Sequence, residues 1–340
     1  MLDPKTPITI AGAGSIGCHA GGCLALAGRK VTLLTRQHPA EKITTHGLKI
    51  IDLDGSQRSL PPGAIEATSD PARALARAGI VIVTVKCNQT SEMADIVAAC
   101  APSDAIVVSL QNGVDNPAII RSRLRSRQSV VPGMVPFNVV QAAPDDGQPS
   151  FHRTTGGDIQ IEAGDLGLAD LLDVPGLPVQ PATDMPAVLW GKLILNLNNA
   201  LNALSGLPLV EQLADRRWRL LLAAQMSEAL AAMKAAGIAP ARIGRLRPSL
   251  LPFVLRLPDG LFRLLARQML AVDPAARSSM WEDLQKHRRT EIGQFQGAVV
   301  RLAAAKGKQA PVSQAIMELV LEAEERGKGS PRLSPNAIKL

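Results

Sequence analysis

Lys192, Asn196 and Asn199 follow one another at i, i+4, i+7 spacing in an apolar stretch that runs from Trp190 to Leu204. At 3.6 residues per turn, this spacing places the three polar side chains on one face of a helix. Asparagine is a poor helix former, and a buried amide without partners costs about 1–3 kcal/mol, so the stripe indicates a cleft for a polar ligand. Loss of solvation there would lower the pKa of the lysine and make it a better acid near neutrality. The alternative is a helix whose asparagine-rich side faces water.

A second polar cluster runs from Ser278 to Asp283 and on to Ile292. As a polar cluster it is a second candidate region for contacts with a ligand. A structural explanation is also available, because Ser279 and Glu282 have the spacing of a helix capping box and Glu291 can pair with a nearby arginine. From the residues alone, this structural explanation is the stronger one.

A glycine-rich turn lies close to the N-terminus, between a β-branched run and an alanine-rich helical segment; its residues are Gly12, Ala13, Gly14, Ser15, Ile16 and Gly17. In a strand–turn–helix context, Gly12 permits the tight turn, Gly14 lets a pyrophosphate approach the backbone, and Gly17 allows the helix to pack closely. The helix start would offer its N–H groups to the phosphates. The motif predicts a dinucleotide cofactor.

Thr35 and Arg36 end the second predicted strand, where an enzyme that uses NAD usually has an acidic residue for the ribose diol. A guanidinium there suits a 2′-phosphate and leaves no carboxylate to repel it. The sequence therefore favours NADP(H). A plain surface arginine at the strand end would leave the choice of cofactor open.

Composition excludes several other ways of donating a proton to a carbonyl oxygen. The chain has no tyrosine, so the Tyr–Lys apparatus of short-chain reductases is impossible. No Cys/His/Glu spacing suggests a catalytic metal, and of five histidines only His287 falls in the helical half, among basic neighbours. The four cysteines form no CxxC pair, which indicates a reducing compartment and no disulfide framework.

Other classes of partner are not expected. Net charge is +7, but aromatics make up 2% of residues and the basic residues are scattered, so we expect small anionic ligands rather than nucleic acid. No uncharged apolar run reaches membrane-spanning length, and the first residues lack the apolar core of a secretory signal. We therefore expect a cytoplasmic protein without a membrane partner.

The elements that must position these residues change character along the chain. The 340 residues suit two domains. Alternating strands and helices up to Asp184 predict an α/β Rossmann-type doubly wound sheet over residues 1–183, which includes a hairpin over 47–62 and an antiparallel edge strand over 151–162. Residues 184–328 predict an all-helical domain, and 329–340 a polar, mobile tail. The helices of this all-helical domain are expected over 187–204, 211–236, 260–270, 279–306 and 312–326.

Taken together, these motifs resemble the ketopantoate reductase family. Four signatures recur in order: the early GxGxxG, a Val-Thr-Val-Lys strand end, a Gln-Asn-Gly turn, and the pair Trp-x-Lys-Leu-x-x-Asn and Ser-Ser-Met-x-x-Asp…Arg-x-Thr-Glu-Ile. The resemblance spans the chain from Ile8 to about Glu325. It implies a Rossmann domain followed by a helical domain like that of 6-phosphogluconate dehydrogenase, with the active site in the cleft between them.

The resemblance also implies a role for each cofactor-binding residue. Lys86, at the end of its strand, and Asn112, in the turn after the next strand, would face the cofactor. Arg36 would bind the 2′-phosphate. Glu291 would lie beside the nicotinamide ribose and the catalytic lysine.

On the substrate side, the resemblance makes Lys192 the general acid, with Asn196 and Ser279 holding the two ends of the substrate. The implied reaction is NADPH-dependent reduction of 2-dehydropantoate to (R)-pantoate. The family often has a second asparagine eight residues after the lysine, where this chain has Ala200; Asn199 or Asn202 could replace it, and Asn199 is better aligned.

This departure leaves the identity of the substrate open, so one alternative is a paralogue that reduces another 2-oxo acid. A separate alternative is a non-catalytic NADP(H) sensor, which would not need both Lys192 and Glu291. A homodimer is a further possibility. The Pro- and Arg-rich stretch from Arg245 to Pro274 is longer than the family pattern and is interpreted as a decoration or a subunit contact.

Overall fold

Buried strands rich in β-branched residues form the centre of the N-terminal half of the protein. The computed structural model describes residues 2–125, 127–142, 147–164, 167–242, 247–265 and 273–338. Contacts divide the chain into two units, Met1–Met185 and Pro186–Leu340. The division falls next to Asp184, where the helical character of the sequence begins.

Within the described part of the N-terminal unit, twelve strands are present. They are β1 (Ile8–Ala11), β2 (Val31–Leu34), β3 (Leu48–Ile51), β4 (Gln57–Leu60), β5 (Glu66–Thr68), β6 (Ile80–Val83), β7 (Ile106–Ser109), β8 (Ser129–Met134), β9 (Val139–Ala142), β10 (Ser150–Arg153), β11 (Ile159–Glu162) and β12 (Val179–Ala182).

Eight of these strands form a Rossmann-type sheet in the order β12-β11-β8-β7-β6-β1-β2-β5. All neighbours are parallel except β8 and β11. Every residue of β1, β6 and β7 is buried, as expected for central parallel strands covered on both faces. Because Ala11 pairs with Leu34 and with Val83, and Val83 with Ser109, the carboxyl ends of four strands meet at one edge of the sheet.

The helices of this unit are α1 (Ser15–Leu26), α2 (Gln37–His46), α3 (Pro71–Leu75), α4 (Thr90–Cys100), α5 (Asn116–Arg121) and α6 (Leu168–Leu172). Helix α2 was not predicted from the sequence. It buries Ala40 and Ile43, and its other residues are at least partly exposed. With only two buried apolar residues among ten, the segment has too weak a helical periodicity in the sequence to be distinguished from a loop.

A second sheet of four strands, in the order β4-β3-β10-β9, contains the predicted hairpin as the antiparallel pair β3 and β4. The prediction of one edge strand over 151–162 was wrong. The segment forms β10, which pairs with β3 and β9, and β11, which pairs with β8 and β12 in the other sheet. Gly157 has φ +115 between the two, so the chain turns there and changes sheets.

The described part of the C-terminal unit is helical. Its elements are α7 (Met185–Asn196), α8 (Asn198–Ser205), α9 (Leu209–Ala214), α10 (Arg216–Ala235), α11 (Leu251–Arg256), α12 (Asp259–Leu265), α13 (Ser279–Gln285), α14 (Ile292–Ala305) and α15 (Pro311–Arg326). None of the described helices is long and apolar enough to span a membrane.

Three helices predicted as continuous are interrupted. The break between α7 and α8 is slight, because Leu197 keeps helical dihedrals of φ −58 and ψ −26. Asp215 separates α9 from α10, and its carboxylate caps α10 by accepting from the Arg217 N–H at 2.8 Å. The segment between α13 and α14 contains His287 with φ +50, a conformation that stops a helix.

The end of the chain differs from the expected mobile tail. Leu333 N–H donates to the Leu204 carbonyl at 2.8 Å, the Ser330 hydroxyl donates to the Ala203 carbonyl at 2.6 Å, and Ile338 is buried. These contacts attach the tail to α8.

In the stretch 245–274, α11 and α12 carry exposed apolar side chains such as Phe253 and Leu264. Residues 243–246 and 266–272 lie outside the described residues, so the end of the helix predicted over 260–270 lies outside them as well.

Candidate active site

The glycine-rich turn leaves β1 and enters α1 as the sequence predicts. Gly12 has φ +96, and a Cβ built there would lie 2.2 Å from Cγ1 of Val85, so no other residue fits without strain. The N–H groups of Gly12 and Ala13 both donate to the Leu34 carbonyl, at 3.1 and 3.0 Å. The turn is thereby held against the end of β2.

Gly14 and Gly17 differ in what surrounds them. A Cβ at Gly14 would meet no heavy atom nearer than the Gly12 oxygen at 4.0 Å, whereas one at Gly17 would lie 2.6 Å from Oγ1 of Thr84. Gly17 is therefore needed for packing, and Gly14 leaves open space above the turn. Since no described side chain caps the start of α1 and its first turn has no acidic residue, this space suits the diphosphate of a dinucleotide.

Arg36 lies at the same edge of the sheet. It lies two residues after the end of β2, is exposed, and occupies the position before the first turn of α2. Its neighbour Thr35 donates from its hydroxyl to the Ala13 carbonyl at 3.4 Å, which places Arg36 next to the glycine turn. A guanidinium at this point can bind a phosphate on the ribose of a dinucleotide.

Lys86 and Asn112 come from the ends of β6 and β7, and the structure brings their backbones together. Lys86 is half-buried and Asn112 is exposed. Between them, the Cys87 thiol donates to the Asn112 carbonyl at 3.0 Å. Lys86 and Asn112, which are predicted to face the cofactor, are therefore both held in place by Cys87. We call this connection their shared support.

That support is part of a buried polar network that the sequence analysis missed. The Gln111 amide donates to the Val85 carbonyl at 3.0 Å and to the Thr90 hydroxyl at 2.7 Å, and Thr90 donates to Oδ1 of Asn116 at 2.7 Å. Asn116 in turn donates to Cys87 Sγ and to the Asn112 carbonyl. A signal was available in the sequence, since Gln111 opens the Gln-Asn-Gly turn and Asn116 lies three residues after it. The two are joined through Thr90 of α4, however, which follows a different strand.

The polar stripe of the C-terminal unit lies across the junction of α7 and α8. Lys192, Asn196 and Asn199 are each half-buried, among neighbours such as Leu193 and Ala200 that are fully buried. Burial lowers the pKa of Lys192 to about 8. Such a lysine is still largely protonated at neutral pH and can give up its proton far more readily than an exposed one.

The structure distinguishes the candidates that could replace the family's second asparagine. Ala200 is fully buried, so its position faces the protein interior. Asn202 is fully buried as well, and its amide is engaged with backbone and side-chain groups of the same unit. Asn199 is half-buried, so of these three positions it is the one that can reach a ligand.

The capping box expected at Ser279 was assigned one residue too late. Ser278 is the N-cap of α13, since its hydroxyl accepts from the Trp281 N–H at 3.1 Å. The same hydroxyl donates to the Asn199 carbonyl at 3.0 Å. Ser279 is the first residue of the helix and is exposed, so its hydroxyl is not the cap; it directly follows the residue that is bonded to the Asn199 carbonyl.

Glu291 precedes the first turn of α14 and is half-buried. Its helix is attached to the α7–α8 junction by Gln296, whose amide donates to the Leu197 carbonyl at 3.0 Å and to Oε1 of Gln225 at 2.8 Å. Gln296 was missed because its partners, Leu197 and Gln225, lie far away in the sequence. The contact fixes the helix that carries Glu291 to the helices that carry the lysine and the asparagines.

The two units thus supply complementary chemistry. The N-terminal unit offers an open glycine turn, an arginine and a lysine at the carboxyl edge of a parallel sheet, which is where dinucleotides bind in this fold. The C-terminal unit offers a desolvated ammonium on the same helical stretch as two half-buried amides, which suits protonation of a carbonyl oxygen. These features define an oxidoreductase of the nicotinamide dinucleotide-dependent class.

Comparison with known proteins specifies the family. Residues 8–165 match the ketopantoate reductase PanE/ApbA family, and residues 184–324 match the C-terminal domain of the same family. The chain belongs to the ketopantoate reductase PanE/ApbA family.

Individual relatives align over nearly the whole chain. It is 28% identical to a 2-dehydropantoate 2-reductase of Mesorhizobium japonicum over 346 residues, covering 94% of this chain and 98% of the relative. It is 26% identical to the 2-dehydropantoate 2-reductase of Halobacterium salinarum over 331 residues, covering 94% and 99%.

Solved structures are similar to this chain over nearly its whole length. A PanE/ApbA family ketopantoate reductase from Ralstonia eutropha superimposes with a TM-score of 0.78 at 28% identity, covering 95% of this chain and 99% of that one. A D-mandelate dehydrogenase complex with NADH and anilino(oxo)acetate has a TM-score of 0.73 at 22% identity, covering 94% and 99%, and shares the fold.

Proposed function

We propose that this chain reduces 2-dehydropantoate to (R)-pantoate with NADPH, the step that feeds pantothenate synthesis, and that Lys192 is the general acid. The observation that supports this most directly is the half-buried Lys192, whose pKa burial lowers to about 8, in line with Asn196 and Asn199. Family membership supports the same reaction class.

Cofactor binding is assigned to the glycine turn and to the residues at the sheet edge. The backbone of Gly12–Gly17 and the start of α1 would hold the diphosphate, and Arg36 the 2′-phosphate. Lys86 and Asn112 would contact the nicotinamide half, where the buried network behind Cys87 keeps them in one arrangement. When bound, the reduced nicotinamide supplies a hydride to the ketone carbon.

The residues of the C-terminal unit handle the oxygen and the rest of the substrate. As the carbonyl carbon gains the hydride, the ketone oxygen gains a proton from Nζ of Lys192, which gives the secondary alcohol and a neutral amine. Asn196 and Asn199 would orient the substrate by amide hydrogen bonds, and the exposed Ser279 hydroxyl would bind its other polar end. As the family resemblance implies, the carboxylate of Glu291 would lie beside the lysine and help to keep it charged and oriented.

Steady-state kinetics with a panel of substrates test this proposal. Purified protein is assayed with NADPH and with NADH against 2-dehydropantoate, 2-oxoisovalerate and benzoylformate. We expect kcat/KM to be highest for 2-dehydropantoate with NADPH. A higher value for another 2-oxo acid would assign the chain to a paralogous reductase, while cofactor binding without turnover of any substrate would identify a dinucleotide sensor.

A further inference from the structure

Asn202 is a fully buried amide on α8 that joins three segments of the C-terminal unit. Its Oδ1 accepts a hydrogen bond from the Ser278 N–H at 2.8 Å. Its Nδ2 donates to the Leu207 carbonyl at 2.9 Å and to Oε1 of Gln212 at 3.0 Å. Both donor hydrogens and the acceptor oxygen are thus used inside the protein.

Ser278 receives a second tie from the same helix. Its hydroxyl donates to the Asn199 carbonyl at 3.0 Å while it caps α13. Asn199 and Asn202 are three residues apart and lie on one side of α8. Two bonds from neighbouring turns of one helix to a single residue fix where α13 begins relative to α8, although 76 residues separate Asn202 from Ser278 in the chain.

We propose that Asn202 is a positioning residue for substrate binding, which sets the hydroxyl of Ser279 at a fixed distance from Asn199 and Asn196. The proposal rests on the proposed function, in which these three side chains hold the 2-oxo acid. Ser279 directly follows the residue that Asn202 anchors. A shift of the start of α13 therefore moves Ser279 away from the asparagines on α7 and α8.

An amide suits this position better than any other side chain of similar size. Ser278 presents an N–H and needs an acceptor, whereas Leu207 and Gln212 present oxygens and need donors. An aspartate would provide an acceptor but no donor, and a leucine would provide neither a donor nor an acceptor. Since the site is fully buried, solvent does not readily replace a lost partner, so each group left unpaired destabilises the folded protein.

Gln212 offers a matched control within the same network. It is also fully buried, accepts from Asn202 and donates to Oδ1 of Asn198 at 2.9 Å. Both of these partners lie on α8, so a truncation of Gln212 disturbs the network without removing the tie to α13. Asn202→Ala and Gln212→Ala should therefore lower the melting temperature alike but differ in substrate binding.

The kinetic test compares these two variants with the parent chain. We expect Asn202→Ala to raise KM for the 2-oxo acid about tenfold, with the KM for NADPH within about twofold of the parent value, and Gln212→Ala to leave both within about twofold. In a Ser279→Ala background, the Asn202→Ala change should have a much smaller effect on kcat/KM, because its influence passes through Ser279. Full additivity in this cycle, or equal KM changes in both variants, would overturn the proposal.

A second readout does not depend on catalysis. Amide hydrogen exchange measured by mass spectrometry over residues 278–285 should be faster in Asn202→Ala and unchanged in Gln212→Ala. Unchanged exchange in Asn202→Ala overturns the proposal, as does faster exchange with an unchanged KM. If the parent chain reduces no 2-oxo acid, the proposed function fails, and the exchange result still decides whether Asn202 holds α13.

If Asn202→Ala does not fold, Ser278→Ala provides the same test from the other side of the tie. It removes the bond to the Asn199 carbonyl together with the side-chain cap of α13, and it keeps the backbone N–H that donates to Asn202. We expect a rise in KM for the 2-oxo acid of at least about threefold, together with faster exchange over 278–285. If KM for the 2-oxo acid in Ser278→Ala equals that of the parent chain, the result contradicts the proposal.

Discussion

The thiol of Cys87 donates a hydrogen bond to the backbone oxygen of Asn112 across 3.0 Å, and so connects the end of β6 to the turn after β7. Asn116 strengthens this connection, because its amide nitrogen donates both to the Cys87 sulfur, at 3.3 Å, and to the same Asn112 oxygen. Lys86 and Asn112 are therefore held in one arrangement by groups that are themselves buried. A ligand at this edge would meet a site that is already organised.

Removal of the Cys87 thiol should weaken dinucleotide binding. Cys87→Ala leaves the Asn112 oxygen with one donor fewer, and we expect the Kd for NADPH to rise about three- to tenfold, with a destabilisation of about 1 kcal/mol. Cys87→Ser retains a donor and should recover most of the affinity. Fluorescence titration of the cofactor measures both effects. The half-buried Cys100 on α4 is the control, and Cys100→Ala should bind as the parent does.

Two alanine substitutions in the glycine turn should have opposite consequences. At Gly14, φ is −81 and a Cβ meets nothing closer than 4.0 Å, so Gly14→Ala should keep the melting temperature within a few degrees while it lowers dinucleotide affinity at least about tenfold. At Gly12, φ is +96 and a Cβ would overlap Val85, so Gly12→Ala should lower the melting temperature clearly. Calorimetry with and without NADPH separates the two. Normal cofactor affinity in Gly14→Ala would show that the diphosphate does not occupy this turn.

Substitution of Arg36 should change the choice between the two cofactors. Charge-assisted hydrogen bonds are worth about 1.5–3 kcal/mol each, so Arg36→Ala should raise KM for NADPH about 10- to 100-fold. The KM for NADH should stay within about twofold. Arg77→Ala is a suitable control, because Arg77 is exposed in the same unit and precedes β6, at the opposite edge of the sheet. Equal losses with both cofactors in Arg36→Ala would contradict the phosphate assignment.

Loss of the Lys192 ammonium should abolish most turnover without loss of cofactor. A general acid contributes about 10²–10⁴-fold, so Lys192→Ala should lower kcat by that amount while the Kd for NADPH stays near the parent value. Lys234→Ala, at an exposed lysine in the last turn of α10, is the control and should retain full activity. Turnover in Lys192→Ala close to that of the parent would remove Lys192 as the acid.

The pH dependence follows from the lowered pKa of the same lysine. Burial lowers the pKa of Lys192 to about 8, and ketone reduction needs its protonated form. The rate of reduction should therefore be flat below this value and fall about tenfold per pH unit above it. Alcohol oxidation needs the neutral amine and should rise over the same range. A flat profile up to pH 10 in the parent chain would exclude a lysine with this pKa as the proton donor.

Much of the candidate site could be proposed from the sequence because its signals are local. The Gly12–Gly17 spacing, the arginine at the end of β2 and the i, i+4, i+7 spacing of Lys192, Asn196 and Asn199 each lie within one element or one turn. Helical and strand geometry alone decides which of these residues share a face or an end. The hairpin of β3 and β4 was predicted for the same reason, since both strands and their turn lie within a few residues.

The predictions that were wrong depend on partners far along the chain. Residues 151–162 have the composition of one strand, yet β10 pairs with β3 and β11 pairs with β8, so the break is decided by two different sheets. The helix boundary at Leu197 and the cap at Ser278 are likewise stabilised by Gln296 and Asn202, which lie 99 and 76 residues away. Local propensity carries no information about such contacts.

The amino-acid sequence by itself determined which groups this protein can use: a glycine turn for a diphosphate, an arginine beside it, and a lysine in line with amides on an apolar helix. Tertiary structure alone decided how those groups are held, through the buried contacts of Cys87 with Asn112 and of Asn202 with Ser278. The reason is physical. Residue type and short-range spacing follow from covalent geometry, whereas burial, the lowered pKa of Lys192 and the pairing of buried amides arise when distant segments pack together and exclude water.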